Sequence, residues 1–429
     1  MKRYAANYIE IFMNSKYMDD LPLHLRLACL FTIGLGFALL TTVAGTNMMV
    51  LLLLLTALCA WIKPPEGGYF DKQSIRLSML IIAFCIWSIL SNAVAGHGIK
   101  VLLTELLHDM RTFAFVVLLW PLFFSAYVSR IALWALLAST VILCTANLIL
   151  TAVGHLPQGQ YFWSNAPHLY GQILVGFFFL LAQILLARPS LAWRVILPMA
   201  LLLTSLLFAS ERRTGYLQLT FGFLVWAGLN YKQLLVAKYK WWFLVAAVGT
   251  VIAASVSPIV ERRMAQVVFE VHQFLSQTPE ERTAKDVAVG IRLQYYVSVW
   301  ELIKQSNFFV GVGSIDFPDL FWQVNKKMGG VEKALFSNPH NEYLYTLATK
   351  GAVGLLLYLA IFGQACRMAW GKTDNVQRVG LLMFIFLFML SITTNSMMID
   401  MEEGHFTMLI LLIFLAPKSI DLVTEKSKT

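Results

Sequence analysis

The sequence predicts an all-α polytopic membrane protein of about twelve transmembrane helices. A long loop carrying amphipathic helices separates the ninth helix from the tenth. Three observations lead there. Of the 429 residues, 58% are hydrophobic and only 13% charged, against about 25% charged in a soluble domain, and the mean hydropathy is +0.68. Long apolar runs recur, as at 48–61 and 351–370, and a helix needs roughly 20 mainly apolar residues to cross a bilayer. Alternation with a period of two is nearly absent, which argues against a barrel.

Taken in order, the runs place spans near 27–43, 47–62, 77–95, 112–128, 131–153, 168–187, 195–209, 215–230, 241–258, 351–368, 379–395 and 405–417. The chain then divides into a cytoplasmic tail (1–26), nine spans (27–258), a large outer loop (259–350), three spans (351–417) and a second cytoplasmic tail (418–429). The first 26 residues are mixed and polar, with Lys2, Arg3, Lys16 and Arg26, and read as a tail before an uncleaved first span. With the N-terminus inside, the cytoplasmic tails and loops hold 19 Lys and Arg. The short outer loops then hold 4: Lys100, Arg111, Arg212 and Arg213. This asymmetry sets the orientation, with both termini in the cytoplasm. The net charge of +9 is therefore mostly a topology signal and a contact with anionic lipid, and no nucleic-acid partner is expected. The five cysteines, Cys29, Cys59, Cys85, Cys144 and Cys366, fall within or at the ends of apolar runs. They read as packing residues, not as disulfides or metal ligands.

Within the large loop, Leu293, Tyr296, Val297, Trp300 and Ile303 share one face at helical spacing. Such a helix is expected to lie at the outer membrane surface. Charged and titratable groups at the outer mouth of a bundle are functional candidates by default. Seven of the eight histidines map to that side or its border, as do Arg111, Arg212, Arg213 and Arg292.

The stretch NPHNEYLYTLATKGAVG at 338–354 is the most informative of these. Asn338 suits an N-cap and Pro339 the first helical position, so a helix is expected to start here with His340 in its first turn. The helix dipole would disfavour the imidazolium and leave a neutral ring able to accept a proton. The plain alternative is a histidine that only caps or hydrogen-bonds a loop. Lys350 follows ten residues on, so a straight descent would bury it in hydrocarbon; a helix lying near the interface, with the true span beginning at Gly351, avoids that cost. In SERRTGY at 210–216, two guanidinium groups on a short outer turn suit bidentate phosphate binding, or else anchor at lipid headgroups. Arg292 opens the loop helix, where a surface ion pair is the plain alternative. Gly311 and Gly313 in FFVGVGSIDF at 308–317 permit a tight turn or close backbone approach. Nucleotide, divalent-metal and serine-hydrolase motifs are absent.

His340-Asn341, nine residues, then Gly351-Ala352-Val353-Gly354 matches the signature of the lipopolysaccharide O-antigen ligase family. The order of the SERRTGY turn, Arg292, Gly311–Gly313 and His340 resembles the core that O-antigen ligases share with O-antigen polymerases and protein-glycosylating oligosaccharyltransferases. The resemblance covers roughly 200–360 by motif. It implies a metal-independent, inverting glycosyltransferase of the bacterial inner membrane with its active site facing the periplasm and no cofactor. The implied donor is a glycan on undecaprenyl diphosphate, and the acceptor a sugar hydroxyl of lipid A–core. By the same resemblance His340 would be the catalytic base, and Arg213 and Arg292 the diphosphate ligands. Arg212, Arg111, Asn341 and Lys350 would be secondary, with the choice between Arg212 and Arg213 left open. Membrane lipids are the other expected partners, and a monomer is expected to suffice. The alternatives are a polymerase acting on the same donor and a non-enzymatic transporter. A transporter should show inverted repeats and broken helices at the bilayer midplane, and neither is visible in the sequence. A protein-glycosylating relative would carry a sizeable domain after its last spans.

Overall fold

A computed structural model describes residues 21–62, 64–65, 68–103, 111–156, 167–209, 213–236, 249, 252, 256–276, 288–329, 338–398 and 401–417. Among them every regular element is a helix. In chain order these are α1 (Leu23–Thr41), α2 (Val43–Ile62), α3 (Lys72–Val94), α4 (Arg111–Phe123), α5 (Ala126–Ala152), α6 (Pro167–Ala187) and α7 (Ala192–Thr204). There follow α8 (Arg213–Val236), α9 (Pro258–Ser276), α10 (Ala288–Gln305), α11 (Phe317–Lys327), α12 (Glu342–Trp370), α13 (Asn375–Ser391) and α14 (Met401–Leu415). A short 3₁₀ turn, Pro189–Leu191, leads into α7, and a π turn, Ser205–Ala209, ends it.

Among the described residues, six helical stretches are long and apolar enough to cross a membrane: α1, α2, α3, α5, Pro189–Ala209 and α12. Four shorter apolar helices accompany them, in α4, α6, α13 and α14. The chain is thus a polytopic helical membrane protein. Helices run through all the stretches expected to span except 241–258, most of which lies outside the described residues. Several helices begin four or more residues before the expected start, and two end four or five residues short of expectation. The stretch expected at 112–128 ends at Phe123, two residues beyond Pro121, and helix resumes at Ala126. The stretch expected at 379–395 stops at Ser391, which frees the polar run 393–396 from the helix.

The core is a ring of helices around α14. From Gly404 to Ala416 every side chain of α14 is buried. It packs against α1, α2, α4, α5, α6, α12 and α13, as a helix apolar on all sides must. Phenylalanines fill the seams: Phe384 of α13 meets Phe177 of α6 edge-on at 5.6 Å and Phe406 of α14 at 6.2 Å. Ends facing water are capped conventionally. Asp71 accepts from the backbone of Gln73 and Ser74 at the start of α3, and Asp374 from Val376 at the start of α13.

A second, smaller core lies in the loop region. Val299, Leu302 and Ile303 of α10 pack with Phe317, Phe321 and Val324 of α11 and with Tyr345 and Ala348 of α12. The expected apolar face of α10 is therefore split. Ile303 is buried, while Val297 and Trp300 are exposed and Tyr296 turns toward His340. Spacing alone gave one stripe, but α10 has partners on more than one side.

The element that positions the site is a break in α12. Gly351 has φ 66° and ψ −173°, non-helical values inside an otherwise continuous helix. The segment 308–313 crosses the helix there. Val312 and Gly313 donate to the carbonyls of Ala348 and Thr349, both at 2.9 Å, and Ala352 donates to the carbonyl of Phe308 at 2.8 Å. Trp87 Nε1 donates to the carbonyl of Lys350 at 2.7 Å. A helix end normally leaves such groups without partners; here one crossing strand and one indole satisfy both new ends. The approach is close enough to require glycine twice. A Cβ on Gly351 would overlap the carbonyl group of Phe309, and one on Gly311 (φ 80°) would lie 2.6 Å from the carbonyl oxygen of Ala348.

Gly351→Ala should therefore destabilise the protein by at least about 2 kcal/mol, from positive-φ strain plus a backbone clash. Gly363→Ala, with open space around its Cβ, should be neutral. Thermal unfolding in detergent compares the two, and equal melting temperatures would contradict the argument.

Candidate active site

The first half of α12, residues 342–350, carries at its start the stretch that the sequence singled out. Its N-cap is Asn341, whose Oδ1 accepts from Leu344 N at 3.0 Å. Asn338 was expected to be the cap; instead its Oδ1 accepts from His340 N at 2.8 Å and closes a tight turn. His340 accordingly sits ahead of the helix, not in its first turn. Its φ is 56°, and it is the one non-glycine residue with positive φ among those described. Asn341 prevails as the cap because its amide is anchored at both ends, with Nδ2 donating to the carbonyl of Thr393 at 2.9 Å. The left-handed backbone at His340 is uncommon outside glycine and recurs at functional sites.

Two side chains of α10 and one irregular segment close around this histidine. Tyr296 of α10 shares its hydroxyl proton between the carbonyls of His340 (3.1 Å) and Thr393 (3.0 Å). Arg292, one turn earlier on α10, points Nη2 at Asn395 Oδ1 at 3.5 Å. The irregular segment is the non-helical stretch 392–398 between α13 and α14. Besides taking the contacts to Thr393 and Asn395, it accepts from Glu342 N at Ile392 O (2.9 Å) and gives Met398 N to Glu342 Oε2 (3.3 Å).

The same segment reaches the start of α8. Thr394 Oγ1 lies 3.4 Å from Thr214 Oγ1, the second residue of α8. Gln218, one turn further on, donates to Leu387 O and Ser391 Oγ of α13. Arg213 is the first residue of α8, so the backbone brings its position beside 392–398. Its side chain and the whole of Arg212 lie outside the described residues. The π turn just before them exposes Leu207 O, which Ser257 Oγ takes at 2.9 Å; such widened turns are frequent near functional sites.

Arg111 opens α4 and is half-buried. Lys350 ends the first half of α12 at only 3% exposure. Its Nζ lies 5.3 Å from the Tyr345 ring centroid and 3.5 Å from Thr349 Oγ1. The structure thus groups His340, Asn341 and Arg292, brings the Arg213 position alongside, and sets Lys350 against Tyr345 at the far end of this half-helix. Thr393 and Asn395 were not expected from the sequence, and Tyr296 was placed there only on an apolar face. The available signal was the polar run TTNS at 393–396 inside an apolar stretch.

Electrostatics follow from this packing. Burial, and then the adjacent Arg292 charge, push the His340 imidazole down from 6.5 to about 4. The expected neutral ring is present, but its main cause is desolvation, not a helix dipole. Burial raises the Tyr296 hydroxyl despite Arg292 and Asn341, which act in the opposite direction, so it stays a donor.

Residues 197–359 match the family model described as O-antigen ligase. No curated protein matches the chain. The matched segment contains Arg213, Arg292, His340 and Gly351, and supports the superfamily of O-antigen ligases and polymerases. It ends before 392–398.

Two outcomes follow. His340 resolved by NMR should titrate near 4, and Arg292→Ala should move it up only part of the way to 6.5, since burial remains. Because the folded value lies below the ordinary one, the unfolded chain takes up a proton in this window. The stability contributed by neutral His340 should be complete above about pH 6.5 and be lost as pH falls toward 4. Melting temperatures of wild type minus His340→Gln, measured across that range, would show no slope if the ring were ordinary.

Proposed function

We propose that this protein is an O-antigen ligase: an inverting, metal-independent glycosyltransferase of the bacterial inner membrane, with its active site on the periplasmic face. The donor is a glycan on undecaprenyl diphosphate and the acceptor a sugar hydroxyl of lipid A–core. The observation that carries the reading is a half-buried imidazole, His340, whose proton affinity is lowered by burial and by the Arg292 guanidinium, inside the segment that matches the ligase family. On this reading both termini lie in the cytoplasm and 259–350 forms the outer loop.

The chemistry needs an activated hydroxyl and a stabilised leaving group. Arg292 and Arg213 hold the diphosphate. The acceptor oxygen attacks the anomeric carbon from the opposite side, a new C–O bond forms, and the bond to the diphosphate breaks with inversion. The hydroxyl proton passes to His340, and undecaprenyl diphosphate leaves with the electron pair, its growing charge met by the arginines. An imidazole at about 4 is a weak base, but the diphosphate offsets the Arg292 charge that helps to depress it. Donor binding therefore raises its proton affinity when a base is needed. Tyr296, through the carbonyls of His340 and Thr393, fixes the left-handed turn that presents the ring.

The test mixes full-length protein in liposomes with undecaprenyl diphosphate-linked glycan and lipid A–core. Wild type should yield a shifted glycolipid band, also in excess EDTA. His340→Ala should fold and insert but lose at least about a hundredfold in rate. An unchanged rate in that variant removes the base assignment, and activity that requires added Mg²⁺ removes the metal-free mechanism. A ladder of longer carrier-linked glycans in place of the band would identify a polymerase, and donor flipped without product a transporter.

A further inference from the structure

The segment 392–398 touches each element of the site, yet it lies outside the matched family segment. Asn395 is its most unusual member. The side chain is 2% exposed. Its Oδ1 faces Arg292 Nη2 at 3.5 Å, while its Nδ2 is buried with no hydrogen-bond partner among the described residues. A buried amide donor without an acceptor is costly, and the few that persist in folded proteins call for a reason. Hydrophobic packing does not supply one, because the carboxamide stands in a polar surrounding: Arg292 on one side, and in its own segment Thr393, Thr394 and Ser396, whose Oγ is also buried without a partner among the described residues. An ordinary structural asparagine would turn both ends to use, as Asn341 does with Leu344 and Thr393. The orientation of Asn395 is set by Arg292: the carboxamide oxygen must face the guanidinium, so the NH₂ group is directed elsewhere. A donor held next to a guanidinium suits one class of ligand, an anion that accepts from both.

We propose that Asn395 Nδ2 donates directly to a phosphate oxygen of the diphosphate held by Arg292, so that the 392–398 segment forms the neutral half of the anion site. This rests on the reading of Arg292 as a diphosphate ligand.

The test is a double-mutant cycle on binding, with full-length protein in detergent and farnesyl diphosphate as the probe. Asn395→Ala should weaken binding about tenfold, the scale of a hydrogen bond to a charged group. It should also weaken binding in the Arg292→Ala background, though by a different factor, because the two side chains touch each other and share the ligand. Inorganic pyrophosphate as competitor should show the same loss, which assigns it to the headgroup and not to the lipid tail. If Asn395→Ala weakens binding in wild type but not with Arg292→Ala, the side chain only positions the arginine and the proposal falls. It falls equally if Asn395→Ala binds as wild type. Should Asn395→Ala not fold, Asn395→Asp keeps the size and puts an oxygen in place of the donor. Placed in the Arg292→Ala background, it should repel the diphosphate and bind more weakly than Arg292→Ala alone; equal binding overturns the contact. Wild-type affinity in Arg292→Ala alone, with a loss in Asn395→Ala, would sink the Arg292 reading and leave Asn395 standing. No binding by wild type would sink both.

Discussion

The backbone crossing at Gly351 is the constraint on which the rest of the site depends. A continuous helix from Glu342 to Trp370 would tie the orientation of its first turns to that of its apolar second half. The break separates the two. It survives because the 308–313 segment and Trp87 take up the amides and carbonyls that the break releases. The crossing strand is fixed in turn from its far side. Asn92 of α3 donates to Ser314 Oγ and accepts from Ile315 N, and His97 Nε2 meets Asp316 Oδ1 at 3.2 Å. The C-terminal end of α3, the loop after α10 and the break in α12 therefore form one interlocked unit, and His340 takes its position from it.

The second organising element is a piece of chain with no regular structure. Between α13 and α14, residues 392–398 present backbone carbonyls and short polar side chains to α8, α10 and the start of α12. A helix could not do this, because its carbonyls are used internally. Ending α13 at Ser391 releases the groups that Tyr296, Asn341 and Glu342 bind. The chemistry proposed for the site thus draws its geometry from irregular backbone on two sides, the left-handed turn at His340 and this segment, both held by rigid helices.

Much of this was legible in the sequence, for identifiable reasons. Apolar runs marked the helices because lipid and protein interior demand the same composition. A change of course at Gly351 was legible because Lys350 could not follow a straight span, and Gly311 with Gly313 signalled a tight turn or close backbone approach, though the broken backbone itself was not. Arg292 and His340 were legible through their motifs. The rest was hidden by degeneracy. Asn338 and Asn341 are both competent caps, and only the contact of Asn341 with Thr393 decides between them. The periodicity of α10 gave one face, because a period cannot say how many neighbours a helix has. Asn395 was absorbed into an apolar stretch, since averaging over a window dilutes four polar residues.

The complete burial of α14 has a consequence for how the protein is made. This helix is the hub of the bundle, yet it follows the helices that surround it in the chain. Those helices must enter the membrane and wait with their inward faces covered by lipid or by the insertion machinery until the hub is synthesised. The segment that completes the site is translated immediately before it. Assembly of the bundle and assembly of the site are therefore a single late event in biogenesis. A chain interrupted before residue 401 would have an open, lipid-filled centre and a histidine without a fixed surrounding, a species that membrane quality control can distinguish by its exposed interior polar groups.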